Sequence, residues 1–161
     1  MEITVKAGTR TYPVVIEHGL LGRLASAIAP YAEGRKTAVV TDDNVAPLWL
    51  DKLLAALPAG TAVYTLPHGE KSKNWETAGK IVEWLAQNRL TRTDVVIAFG
   101  GGVVGDITGF AASVYMRGID YVQVPTTLLA GIDSSAVGQT AVALWAGDTL
   151  AARLAPAPPV H

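Results

Sequence analysis

Cysteine is absent from all 161 residues. Its absence excludes disulfides, iron–sulfur clusters and thiolate zinc sites within the chain. Histidine is scarce as well. His18, His68 and His161 fall in unrelated contexts, with no HxxxH or HxxE spacing. A zinc site needs three or more converging ligands, so no metal site is expected here. The chain has no GxSxG run, which removes the nucleophile elbow of serine hydrolases. Charge is thin too. Charged residues make up 17%, against about 25% in an average domain. A fully solvated surface carries more charge, so the shortage points to a partner surface.

Neither sign of charge dominates. Thirteen basic and fourteen acidic residues leave a net charge of -1. That is no footprint for nucleic acid and no polybasic patch for a membrane. The four tryptophans show no basic interleaving of the kind that stacks bases. No apolar run approaches the roughly 20 residues of a membrane span. The start, MEITVKAG, does not read as a signal peptide. The expectation is a cytoplasmic protein with neither a nucleic-acid nor a membrane partner.

What is present is apolar and periodic. Hydrophobic residues make up 50% of the chain, enough for one domain with a real core. The domain is expected over residues 1–150. Pro156, Pro158 and Pro159 follow an alanine-rich run, so residues 151–161 read as an irregular or disordered tail.

The chain begins with two alternating stretches, 2–6 and 12–16, around Gly8 and Thr9, which predict a hairpin. Leu20 to Ile28 has helical spacing, and Pro30 is read as its stop. Thr37–Thr41 is a buried strand followed by Asp42, Asp43 and Asn44. A helix is expected over 45–57, with Pro47 tolerated in its first turn. Residues 61–66 form another strand. Residues 74–88 form an amphipathic helix, with Ile81, Val82, Trp84 and Leu85 inward.

The centre of the pattern runs from Asp94 to Thr127. Val95–Phe99 is an apolar, β-branched run that ends in Gly100, Gly101 and Gly102. A helix follows over 103–115, then a strand over 121–124 stopped by Pro125. Strand, glycine turn, helix, strand is a βαβ unit. The expected fold is α/β and Rossmann-like: a mostly parallel sheet with helices on both faces, preceded by the hairpin.

In such sheets ligands sit beyond the carboxyl ends of the strands. Four polar clusters fall there: 42–44, 69–73, 100–106, and Thr126 and Thr127 with Asp133 and Ser134 beyond. Glycines permit close backbone approach, and the helix start attracts phosphate. GGGVVG matches the dinucleotide fingerprint only loosely, and a tight turn without a ligand explains a triple glycine equally well. Asp106 is either a ligand contact or a favourable charge near a helix start. Asp42 suits a ribose hydroxyl. Asn44 suits either a ligand or a helix cap. Glu70 and Lys73 share a helical face, to bind a cofactor or each other. Arg117 is either a clamp for an anion or a surface residue. Thr126 and Thr127 offer hydroxyls to a cofactor.

The stretch GGGVVGDITGFAASVYMRGIDYVQVPTTLLAGIDSS closely resembles the core signature of 3-dehydroquinate synthases. TDDNVAPLW at 41–49 and HGEKSKNWET at 68–77 resemble two earlier nucleotide-contacting stretches of that family. The resemblance runs from the N-terminus to about residue 144. It implies conversion of 3-deoxy-D-arabino-heptulosonate 7-phosphate to 3-dehydroquinate and phosphate in the shikimate pathway. It also implies catalytic NAD, a divalent metal that is usually zinc, a sugar-phosphate substrate and a homodimer.

Residue by residue, the resemblance places Asp42 and Asn44 on the adenosine part of NAD. Glu70, Lys73, Gly101, Gly102, Val103, Asp106, Thr126 and Thr127 line the rest of the cofactor, and Arg117 and Asp133 face the substrate. The pattern then departs. Gln139 stands where the family has a lysine, and an amide does not replace a cation opposite an anion. Asp148 reverses another charge. The family's metal-binding glutamate and histidines belong to a further helical domain with no counterpart in these residues. The implied protein is a truncated NAD-binding domain, inactive alone. Its alternatives are a non-catalytic nucleotide-binding or interaction module, or another sugar-phosphate cyclase.

Overall fold

The computed structural model describes residues 2–7, 10–15, 23–126, 139–144 and 147–154, with side chains placed over 23–126. Two strands carry the core: β3 (Thr37–Asp42) and β5 (Val95–Gly100), buried at every position. Both faces of each are covered, which is why they read as continuous apolar runs rather than alternating ones. With β4 (Ala62–Leu66) and β6 (Asp120–Pro125) they form a four-stranded parallel sheet in the order β4-β3-β5-β6.

Alternate side chains separate the two faces. Val39, Ile97 and Phe99 pack with Leu24, Ile28 and Ala32 of α1 (Leu24–Ala32) and with Leu53 of α2 (Ala46–Leu54). Ala38, Val40, Val96 and Ala98 face the other way. They meet Ala78, Ile81 and Leu85 of α3 (Trp75–Gln87), and Val104, Ile107 and Ala111 of α4 (Gly102–Val114). The crossover from β3 to β4 uses α2 on one face. The crossovers from β4 to β5 and from β5 to β6 use α3 and α4 on the other. A chain that reverses direction across a sheet must change faces if its crossovers keep one hand. The reversal lies between β3 and β5, and in such sheets ligands bind beyond the carboxyl ends of the strands at that point.

The N-terminal hairpin is present: β1 (Glu2–Ala7) pairs antiparallel with β2 (Arg10–Val15). Pro30 does not stop the first helix; it sits inside α1. The ring removes one hydrogen bond to the carbonyl four residues back, but Leu24, Ile28 and Ala32, spaced by four, are all buried, and that packing holds the turn. Glu33 N–H then closes the helix on Ala29 O at 2.9 Å. α2 ends at Leu54, three residues before the expected boundary. In α3, Val82 and Trp84 flank the core rather than entering it, and Ala78 joins Ile81 and Leu85 inside.

A further antiparallel pair, β7 (Gln139–Leu144) and β8 (Gly147–Leu154), stands apart from the sheet. β7 lies against α4 and touches α3. β8 carries regular structure past residue 150, so the stretch 151–154 expected to be irregular is strand. Residues 155–161 lie outside the described residues. Among the described residues no helix is long and apolar enough to cross a membrane.

Candidate cofactor site

Every expected site residue in the described part except Arg117 lies at the carboxyl edge of the sheet. β3 ends in Asp42, β5 ends in the glycines, and β6 leads into Thr126, whose N–H donates to Gly100 O at 2.9 Å. After β4, Gly69 at φ 94°, a region that favours glycine, turns the chain into a single 3-10 turn, Glu70–Ser72.

The start of α4 is the centre of the edge. Its N-cap is Gly101, which has no side chain to cap with, and its first turn holds no acid. The amide of Gly105 donates to Gly101 O at 3.0 Å. The amides of Gly102, Val103 and Val104 have no acceptor among the described residues. Such a helix start presents N–H donors and positive potential to an anion.

The glycines differ in what requires them. None of Gly100, Gly101 and Gly102 has a positive φ, so the turn itself does not need them. A Cβ on Gly100 would stand 2.6 Å from Val104 Cγ2, so helix packing fixes that residue. At Gly105 a Cβ would stand 2.3 Å from Gln123 Nε2, the end of a flexible side chain that can move aside, so packing constrains that residue less. At Gly102 a Cβ would meet nothing within 4 Å. Neither conformation nor packing requires a glycine at Gly102.

Lys73 crosses from the 3-10 turn to the helix. Its ammonium lies 2.7 Å from Asp106 Oδ2 and 3.8 Å from Glu70 Oε1. Lys73 and Asp106 are mostly enclosed, with side-chain exposures of 16% and 20%. The expected Glu70–Lys73 pairing is therefore the weaker of two contacts.

Asp42 is buried and closes the turn that leads into α2. Its Oδ1 accepts from the amides of Asn44 at 3.0 Å and Val45 at 2.8 Å. Asn44 is exposed and caps nothing, and α2 starts from Val45 without any side-chain cap. Asp43, a member of the 42–44 cluster given no role of its own there, pairs with His68. Both His68 N and His68 Nδ1 reach its Oδ1, at 2.9 Å and 2.7 Å. The ring hydrogen bond holds the Asp43 carboxyl below the usual aspartate range. The acid doublet after a buried strand and the place of His68 at the head of HGEKSKNWET were the available signals.

Beneath the first turns of α4, the Tyr121 hydroxyl is placed 2.9 Å from Gly105 O and 3.0 Å from Gln123 Oε1. Burial pushes its phenol far above the ordinary range, with Asp106 adding to the shift.

Arg117 is not brought to this edge. It follows α4, a helix of 13 residues and so about 20 Å long. It lies exposed at the opposite edge, where Met116 and Arg117 take left-handed φ values of 48° and 68°. Thr127 and Asp133 lie outside the described residues. A cavity of about 330 Å³ also opens at the opposite edge, beside Arg35, Lys36 and Gly60. Its cations are spent: Arg35 binds three carbonyls and Asp120, and Lys36 Nζ reaches Asn88 O at 3.4 Å. Among the described residues no three His, Cys, Asp or Glu side chains converge on a point that could hold a metal.

The fold is thus that of a Rossmann-like α/β protein with its switch point between β3 and β5. The profile described as 3-dehydroquinate synthase N-terminal matches residues 63–154, and the chain belongs to that family. It is 46% identical over 143 residues to the 3-dehydroquinate synthase of Rhizobium etli, covering 87% of this chain and 38% of that protein. With the Cereibacter sphaeroides 3-dehydroquinate synthase it shares 47% over 151 residues, covering 92% and 41%. The chain therefore spans about two fifths of the length of these relatives. Among solved structures, ValA (2-epi-5-epi-valiolone synthase) from Streptomyces hygroscopicus subsp. jinggangensis, with NAD+ and Zn2+ bound, superposes with a TM-score of 0.79 at 29% identity. That match covers 94% of this chain and 42% of that one. A 2-deoxy-scyllo-inosose synthase superposes at 0.83 with 24% identity, over 98% and 45% of the two chains, which supports the fold.

Proposed function

We propose that this chain is the cofactor-binding part of a 3-dehydroquinate synthase, with NAD seated in the crevice between β3 and β5. The observation that carries this reading is the start of α4: three amides without acceptors among the described residues, an uncapped helix, and open space at Gly102. A pyrophosphate supplies the missing acceptors. Asp42 keeps one carboxylate oxygen for a ribose hydroxyl after closing the turn before α2. Lys73, oriented by Asp106, stands beside the phosphates or the second ribose, and Thr126 borders the same turn. The residues present fit the cofactor.

The proposed reaction is that of the named relatives, loss of phosphate from a sugar phosphate with ring closure. NAD supplies reversible hydride transfer, while the chain's own residues bind and orient it. Metal ligation does not fit the described residues, so no step is assigned to a metal held by them. Gln139 and Asp148 favour a second reading, a nucleotide-binding module without turnover. Calorimetric titration of the purified chain with NAD tests the first half of the proposal. Phosphate release from the sugar-phosphate substrate, with NAD and zinc added, separates the two readings: release supports the enzyme, and saturable NAD binding without release supports the module. Absence of NAD binding would refute both.

A further inference from the structure

β3 ends in two acids, and the structure gives them different tasks. In dinucleotide domains an acid near the glycine turn bonds the adenosine ribose, and its charge opposes a 2′-phosphate. Here the inner acid, Asp42, is only 9% exposed and is tied into the start of α2. The outer acid, Asp43, extends beyond the sheet. Its N–H donates to Leu66 O at 3.1 Å, one residue past the last paired position of β3. Its side chain is 52% exposed. His68 supplies two donors to the same oxygen, Oδ1, and Oδ2 has no partner among the described residues. The result is a fixed, charged carboxylate with one oxygen free, at the carboxyl edge of the sheet beside the end of β3.

We propose that Asp43, held in place by His68, makes this crevice select a dinucleotide with a free ribose 2′-hydroxyl over one carrying a 2′-phosphate. The proposal rests on the cofactor reading above. A 2′-phosphate brings close to two negative charges at neutral pH. Like charges at the rim of an open site repel through water, at a cost of about tenfold in affinity. Asp43 is the specificity-determining residue, and His68 is a positioning residue acting through it. Fastening the end of β3 to the end of β4 is the alternative role of the pair, and that role would be blind to the 2′-substituent.

The test is calorimetric titration of the full chain with NAD and, separately, with NADP. The wild-type chain is expected to bind NAD at least about tenfold more tightly. Asp43→Asn keeps an oxygen for His68 and removes the charge. It should shrink the NADP-to-NAD ratio of dissociation constants about tenfold, mainly by tightening NADP. His68→Ala should shrink the ratio part of the way. His68→Asn, whose amide donates from nearly the position of Nδ1, should restore it, whereas a purely structural role would move thermal stability and leave the ratio alone. Equal wild-type affinities, or an unchanged ratio in Asp43→Asn, would overturn the proposal while the cofactor reading stands. If the wild-type chain binds neither nucleotide, the cofactor reading falls and the proposal falls with it.

Discussion

The ammonium of Lys73 lies 2.7 Å from the carboxylate of Asp106, joining the turn after β4 to the first turns of α4. Both groups are largely enclosed, and removing one leaves the other without its main partner. Lys73→Met is expected to cost about 1–2 kcal/mol, between the values for exposed and fully buried pairs. The double variant Lys73→Met with Asp106→Leu should cost less than the sum of the single changes, because the two residues act together. Urea denaturation of the four chains measures this, and NAD affinity should fall in every variant.

Gly100 and Gly102 should respond oppositely to alanine. Gly100→Ala forces a Cβ against Val104 and is expected to destabilise by about 1–3 kcal/mol, as overpacking does. Gly102→Ala has open space around it and no left-handed φ. It should leave stability unchanged or raise it by a few tenths of a kcal/mol, up to about 1, while weakening NAD binding. Thermal melts paired with calorimetry separate the two effects.

Arg35 stitches the far edge of the sheet. Its guanidinium donates to the carbonyls of Tyr31, Thr93 and Asp94 and to the Asp120 carboxylate. These groups come from the end of α1, the start of β5 and the start of β6. Arg35→Met should cost about 2–3 kcal/mol, since charge-assisted bonds are worth more than neutral ones. NAD affinity, read at the opposite edge, should not change.

The Tyr121 phenol is held neutral by burial. A phenol whose folded pKa is raised contributes stability that is complete below the unfolded value of about 10 and is lost as pH rises above it. Stability measured from neutral pH to above 10 should therefore fall in the wild type. It should fall less steeply in Tyr121→Phe. Ultraviolet titration should show Tyr121 ionising only as the chain unfolds.

β3 and β5 were legible because burial on both faces leaves an unbroken apolar run, and α3 because Ile81 and Leu85 keep helical spacing. What stayed hidden depends on partners distant in sequence. Lys73 meets Asp106 thirty-three positions on, a contact that the nearer Glu70 concealed. Asn44 is a common capping type, yet α2 takes no side-chain cap, and the carboxylate of Asp42 closes the turn before it. Pro30 normally ends a helix, but three buried side chains outweigh one lost hydrogen bond. Arg117 is near the glycines in sequence, and the length of α4 carries it to the other edge. β7 and β8 gave no signal, since their alanine-rich runs neither alternate cleanly nor carry β-branched residues in number.

NAD binding at this edge requires an anion to meet the amides at the start of α4. Recording backbone amide resonances while NAD is added to millimolar concentration tests that contact directly. Saturable shifts concentrated at Gly101, Gly102 and Val103, with smaller ones at Lys73 and Thr126, are the predicted result. Shifts confined to the opposite edge, around Arg35, Gly60 and Asn88, or no shifts at all, would contradict it.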